Sequence, residues 1–520
     1  MRAMSDVSVS GIAGATAQAV SRRLPAPIDL LALYSQLSDH GLRTDTLLLE
    51  TTAGRSVILD SAAVRIECRD GEVVLDALSA GGRSALELVG DRLADQIVAS
   101  TPERLSLRFE RSQETDAEQR LLAASPFDVL RALVNGFRSH TPEEPMTVCL
   151  IGIVGFDHVD LFEDLPANAE DITTFPDFIF WLAESAIVAD PRLTPRLICT
   201  AFGTGDEEQR QRSLNSAIER LSDLAFRATD VRALTPSAGT PVEVSVDLDD
   251  QAFAAAVSQL KEHIMAGDVY QIVPSRTFSA RCPDPLSAFA RLRTIDRSPY
   301  MFFAAMADCT LFGASPETSV RLTSEDGKPM LEVKPIAGTR PRGSDSDEDD
   351  RMEADLRLDA KESAEHMMLV DLARNDVARV CEPGTRHVAQ LMRLEKYARV
   401  MHLVSSVKGV LAARYDALHA LQACLNVGTL SGAPKLKATQ LLRRYERTKR
   451  GPYGGAIGWL NGEGAMDTGV VIRSALVKDG IAYVRAGAGV VRDSDPIAEA
   501  DETRRKASAV LSAIAGESGR

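Results

Sequence analysis

The pair Asp70-Gly71 stands between two alternating apolar runs, "RSVILDSAAVRIECR" (55–69) and "EVVLDAL" (72–78). Asp-Gly readily takes the two left-handed positions of a two-residue hairpin turn, so the flanking runs are expected to pair antiparallel. Short strand-like runs recur along the chain. "DTLLLET", "SLRFE", "VCLIGIVGFD" and "FIFWLAESAIVAD" lie in the first half. "YQIVPSRTFSA", "YMFFAAMA", "TLFGASPE", "AIGWL", "GVVIRSALV" and "IAYVRAGAGVV" lie in the second. Their hairpin spacing predicts a mostly antiparallel α+β fold rather than a doubly wound parallel sheet.

Between the strands, "DDQAFAAAVSQLKEHIMAGD" places Phe253, Val257, Leu260 and Ile264 at helical spacing, with Gly267 as a stop. Four regions are expected: a small, polar, flexible tail over 1–25, an N-terminal domain over 26–226, a linker over 227–247 and a second domain over 248–515. The linker is rich in Pro, Ser, Thr and Gly with no period. The acidic run "SDSDEDD" (344–350) reads as a solvated loop.

A net charge of −15 excludes non-specific nucleic-acid binding, which works by neutralising phosphates, but leaves room for a locally positive pocket. Seven scattered cysteines without a C-x-x-C pair suit a reducing compartment and give no zinc site. The N-terminus lacks a continuous apolar segment, and no apolar run reaches membrane length. A cytoplasmic protein is expected, with neither membrane nor nucleic acid as partner.

Two helices carry paired carboxylates: Glu362 and Glu365 in "DAKESAEHMMLVDLARNDVARV", and Glu499 and Glu502 in "IAEADETRRKASAVLSAI". Each pair falls on one helix face at i, i+3. These suit either a hard cation held by oxygen ligands or plain surface pairing, Glu502 with Arg505 and Lys506. "RAGAGVVRDS" lacks the third glycine of a dinucleotide fingerprint, since Arg492 stands there, and "GTLSGAPK" misses the P-loop spacing. "EVKPIAGTRPRG" (332–343) is either a solvated basic turn or an anion-holding one.

Taken in order, "SPYMFF", "LFGASPE", "PIAGTRPRG", "HMMLVDLARND", "MHLVSSVKG", "GTLSGAPK", "YGGAIGW", "VVIRSAL" and "AGAGVVRDSDPIAEADET" resemble the chorismate-utilising enzymes, most closely the anthranilate synthase large subunits. The likeness spans about 26–515. It implies an antiparallel β-sheet sandwich with helices packed outside, and an N-terminal regulatory region. It also implies Mg²⁺ held by Glu365 and Glu502, with Glu362 and Glu499 beside them. Tyr453, Arg473 and the backbone N–H groups of Gly487, Ala488 and Gly489 are implied to bind the carboxylates of chorismate. Gly338 and Thr339 line the same pocket. Glu317 resembles the acid that protonates the departing C4 hydroxyl, Thr429 a residue holding it, and His402 one assisting pyruvate loss.

Relatives that add water carry lysine where Gln271 stands, and aminodeoxychorismate synthases commonly carry it in place of Ala337. Their absence here implies ammonia as nucleophile. The implied reaction is amination to 2-amino-2-deoxyisochorismate followed by pyruvate loss to anthranilate, the first step of tryptophan biosynthesis. Two alternatives are a synthase that stops at the intermediate and a non-catalytic tryptophan sensor. No glutaminase segment is found, so a separate glutamine amidotransferase subunit is implied, in a heterotetramer of two large and two small subunits. The segments "LLLET" and "SPYM" resemble the family's inhibitory tryptophan site, here Glu50, Thr51, Pro299, Tyr300 and Met301. Thr51 replaces the usual serine, and Asp296-Arg297 the usual Asn-Pro.

Overall fold

The computed structural model describes residues 14–25, 28–168, 170–191, 194–205, 207–239, 241–397 and 400–516. The strand Ser56–Arg69 turns through Asp70 and Gly71, at φ 49° and 79°, into Glu72–Ala77 and pairs with it antiparallel. The same long strand pairs on its other edge with Phe178–Ala189. From these two strands the sheet continues as two arms. One runs through Thr46–Thr51, Tyr300–Ala305, Thr310–Ser315, Ser474–Lys478, Ile481–Gly487 and Ser275–Arg281. The other runs through Cys149–Val154, Ala456–Asn461, Met466–Val470, Thr318–Glu325, Lys328–Val333 and Val400–Val410. Every one of these pairings is antiparallel, as the turn spacing predicts.

Side-chain alternation shows how the arms stack. Leu47, Leu49, Phe302, Ile151, Ile153, Trp181 and Ile457 share one core drawn from both arms. The intervening residues face outward onto helices. Leu48, Met301 and Phe303 pack with Leu286, Phe289 and Val510, and Leu150, Val154 and Leu182 with Leu88, Leu130 and Leu421. The layers are therefore helix, sheet, sheet and helix, the expected sandwich. Strands covered on both faces need no polar alternation, which explains the unbroken burial of Phe178–Val188.

Both arms begin on strands from the first half of the chain and continue on strands from the second. Among the described residues of the segment 228–244 there is no helix or strand, but Val231, Leu234 and Val242 pack on the core and Ser237 N–H donates to the Ser287 hydroxyl. Two expectations need correction. Residues Thr16–Arg23, placed in the flexible tail, form a strand along Arg196–Gly203, with Ala17 and Ala19 on its buried face; the rest of that expectation, residues 1–13, lies outside the described residues. The acidic run is helical rather than loop. Asp345 caps the helix Ser346–Leu358 by accepting from Glu348 N–H, and Asp347, Glu348 and Asp349 occupy its first turn. Carboxylates there satisfy free N–H groups and oppose the helix dipole.

Candidate active site

The chain crosses between the arms at two short links that lie side by side. One is Pro316-Glu317, between Thr310–Ser315 and Thr318–Glu325; the other is Val471-Ile472-Arg473, between Met466–Val470 and Ser474–Lys478. They are tied where they meet, Val470 N–H donating to the Glu317 carbonyl and Ala314 N–H to that of Arg473. Arg473 turns the corner with φ 49°. Beside these links opens a cavity of about 680 Å³, closed by the helices Ala360–Ala378 and Pro496–Ala515. That volume suits a small organic ligand.

Glu317 lies in the cavity wall and is 5% exposed. Burial pushes its carboxyl up to about 8, although the Thr429 hydroxyl, donating at 2.9 Å, favours the ionised form. At neutral pH it is a protonated acid. Thr429 belongs to the short helix Gly428–Ser431, which the buried Arg450 holds by donating to the Leu430 carbonyl at 2.6 Å. Arg450 and Arg485 both clasp the buried carboxylate of Glu446. Their charges outweigh its burial and keep it ionised.

His402 stands on Val400–Val410 opposite Thr339, where a bulge gives Gly338 a φ of 80°. Its Nδ1 lies 3.1 Å from the Gly338 carbonyl and 3.0 Å from the Thr339 hydroxyl. A carbonyl only accepts, so Nδ1 carries the proton and the Nε2 lone pair is left free. Burial lowers the imidazole to about 4, and the charges of Arg473 and Lys506 push the same way. The cavity thus holds a neutral acid and a neutral base.

Glu362, Glu365, Glu499 and Glu502 line one side. Burial raises Glu365 to about 7, and repulsion from Glu362 and Glu502 adds to it. Burial also acts on Glu502, but Lys506, paired at 2.7 Å, outweighs it and leaves the carboxyl lowered. The surface pairing weighed from the sequence therefore exists, within the cavity wall. Among the described residues no three His, Cys, Asp or Glu side chains converge as a ready metal cage. Mg²⁺ needs no such cage, because it takes one or two carboxylates and fills its octahedron with water and substrate oxygens. Hard oxygen donors that repel one another fit that ion.

Tyr453, Arg473, Gly487 and Gly489 line the cavity. A Cβ on Gly487 would come within 3.0 Å of the Tyr453 hydroxyl, so the bare backbone permits this approach. Ala488 differs from expectation: its N–H donates to the Pro274 carbonyl and is not free for a ligand. Arg342 pairs with Asp349 of the acidic run, while Arg340 reaches Asp355, Asp359 and Glu362. Arg505 and Lys506, which the sequence offered only as surface partners of Glu502, also line the cavity, as do Lys361 and Arg485, which it did not single out. The i, i+4 spacing of Lys361 from Glu365 was the signal that could have found the first of these. With Arg340 and Arg473 there are six basic groups against Glu362, Glu365, Glu499 and Glu502, Glu317 being protonated and burial pushing Glu365 and Glu499 towards their neutral forms. An acidic protein thus has a positive pocket.

The residues expected to form the tryptophan site meet where Thr46–Thr51 pairs with Tyr300–Ala305, Glu50 opposite Met301 and Thr51 opposite Tyr300. Alternation divides them between the faces: Met301 packs with the outer helices, and Tyr300 in the inner core, its hydroxyl donating to Asp467. Glu50 Oε1 receives Arg293 at 2.7 Å, whereas its buried Oε2 has no partner.

The chain matches the family of chorismate binding enzymes over residues 87–512. It is 46% identical to anthranilate synthase component 1 of Vibrio cholerae, covering 94% of this chain and 95% of that one. The Escherichia coli protein of the same name is 44% identical over 93% and 94%. Among solved structures, anthranilate synthase component I from Streptococcus pneumoniae superposes with a TM-score of 0.66 at 28% identity, covering 89% of this chain and 93% of that chain. The menaquinone-specific isochorismate synthase of Escherichia coli shares the fold, with a TM-score of 0.66 at 18% identity and 96% of each chain covered. No described helix is long and apolar enough to cross a membrane.

Proposed function

Because the chain belongs to the chorismate binding enzymes, and within them to the anthranilate synthase component 1 family, we propose that its cavity aminates chorismate with ammonia and then eliminates pyruvate. The observation that carries this reading is a buried, protonated Glu317 in the same cavity as a neutral His402. Glu317 gives its proton to the C4 hydroxyl, held by Thr429, and the oxygen leaves as water. The ammonia lone pair forms the bond at C2 while the two ring double bonds shift, and the new ammonium then loses a proton, which restores the acid. His402 Nε2 next takes the C2 proton. The electron pair enters the ring, the C3–O bond breaks, and the released enolpyruvate takes up a proton to become pyruvate. Arg473 and Tyr453 hold carboxylate and ether oxygens of the substrate.

Glu365 and Glu502 would hold Mg²⁺, which supplies positive charge to the substrate's ring carboxylate. Glu502→Gln removes one ligand charge at constant size. It is expected to raise the Mg²⁺ concentration for half-maximal turnover by tenfold or more, in the range of about 10–100-fold seen when metal-site groups are altered. An unchanged metal dependence would remove Glu502 from the site.

Tryptophan is proposed to bind on the Glu50 and Met301 face and inhibit, its ammonium on Glu50 Oε2 and its indole on apolar walls. Glu50→Ala is expected to raise the half-inhibiting concentration by about tenfold or more, as for loss of a charged hydrogen bond. No change would place the site elsewhere.

The chain is a component 1, and its ammonia is proposed to come from glutamine through a separate amidotransferase component. The purified chain with chorismate, Mg²⁺ and an ammonium salt is therefore expected to release fluorescent anthranilate, and with glutamine in place of ammonium to release none. No product with ammonium would overturn the reading; product from glutamine alone would overturn the need for a partner.

A further inference from the structure

We propose that Asn426 and Phe156 are positioning residues for the acid step, fixing Thr429 in front of Glu317; the inference rests on the roles given to those two residues above. Thr429 sits on a helix of only four residues, Gly428–Ser431, with no side-chain cap at its start and Gly432 at φ 124° after its end. A single helical turn gains too few hydrogen bonds to offset the cost of ordering it. What keeps the Thr429 hydroxyl 2.9 Å from Glu317 must therefore come from outside the helix.

Two ties do this, and both end on Phe156. Before the helix, the Asn426 side chain donates from Nδ2 to the Phe156 carbonyl at 2.7 Å. A carbonyl only accepts, so this contact fixes which end of the amide is nitrogen. At the far end, Arg450 donates to the Leu430 carbonyl and lays its guanidinium 4.4 Å over the Phe156 ring. Asn426 is 6% exposed and Phe156 2%, so water does not compete for either tie. Phe156 is itself held firmly. Its N–H donates to the Gly451 carbonyl, the Asp157 carboxylate accepts from Gly451 N–H at 2.8 Å, and Gly155 N–H donates to the Asp177 carbonyl. This turn directly follows the strand Cys149–Val154. Among the described residues, those lining the cavity all lie at or after Gln271. Through Phe156 the first half of the chain thus acts on the chemistry without touching the substrate.

The test is a double-mutant cycle on the full chain with Asn426→Leu, which keeps the size and removes the donor, and Thr429→Val. Turnover of chorismate with ammonium and Mg²⁺ is measured on both variants and their combination, alongside pyruvate release from supplied 2-amino-2-deoxyisochorismate. Asn426→Leu is expected to slow chorismate turnover by about tenfold to a hundredfold, the scale on which small misplacements act. Once Thr429 has lost its hydroxyl, the leucine should cost at most about twofold more, as for two residues acting as a unit. Pyruvate release from the intermediate should stay within about twofold, because His402 stands on Val400–Val410, which these ties do not reach. Asn426→Ser, too short to make the bond but open to water at the Phe156 carbonyl, is expected to behave likewise and serves if the leucine variant does not fold. Unchanged chorismate turnover overturns the proposal. So do independent, multiplying losses in the cycle, or an equal loss of both steps, either of which marks Asn426 as general structural support. Failure of the acid reading is distinguishable, because Thr429→Val alone would then turn over normally and both would fall together.

Discussion

Glu317→Gln is expected to lower turnover with ammonia by about a hundred- to ten-thousandfold, the range for loss of a general acid. The effect is large because the C4 oxygen leaves poorly as hydroxide, and Glu317 is the buried acid hydrogen-bonded to Thr429. The glutamine keeps the size and can still receive the Thr429 hydroxyl, so folding and chorismate binding should hold. A pH profile separates acid from structural support. Burial raises the folded-state pKa to about 8, so the proton is present below that value and lost above it. His402, lowered to about 4 mainly by burial, is a base above that value and is protonated below it. Turnover, measured at a fixed concentration of free ammonia, should therefore fall above about pH 8 and below about pH 4. In Glu317→Gln the residual rate should lose its alkaline fall. Near-normal turnover in that variant would show that the departing oxygen takes its proton elsewhere.

Much of the sheet was legible because local rules decide it. Asp70-Gly71 favours a hairpin of this kind, and the short gaps between the strands within 300–333 and within 456–487 leave no room for crossover helices. The junction of the arms was not legible. It depends on Ser56–Arg69 pairing with Phe178–Ala189, more than a hundred residues away, and no periodicity within either strand reports that. The acidic run misled for a local reason: a block of like charges resembles a solvated loop until Asp345 is seen as a cap. Small, polar residues before Leu24 hid a strand whose buried positions are only alanines.

Within the site, the carboxylate helices showed in spacing, and the motif order suggested which residues share a pocket. The structure brings Glu317, His402, Thr429, Glu365 and Glu502 to one cavity. The protonation states of Glu317 and His402 could not be read from sequence, because each depends on burial and on partners such as Thr429, Gly338 and Lys506 that lie distant in the chain. Nor could the use of the Ala488 N–H by Pro274. The support beneath the site, Glu446 with Arg450 and Arg485, was equally invisible, since nothing marks those residues as buried.

The second large effect belongs to His402, and it bears on the claim that one cavity performs two separable steps. His402→Asn retains a side-chain N–H where Nδ1 donates to the Gly338 carbonyl, and removes the Nε2 lone pair. Amination does not use that lone pair, whereas removal of the C2 proton does. Elimination is expected to slow by about a hundred- to ten-thousandfold, with amination little changed. The deciding measurement is a mass balance on this variant with chorismate, Mg²⁺ and ammonium, following chorismate, 2-amino-2-deoxyisochorismate, pyruvate and anthranilate together. The account predicts that chorismate disappears while the amino intermediate accumulates and pyruvate lags far behind. Pyruvate and anthranilate released in step with chorismate loss, with no intermediate, would contradict it.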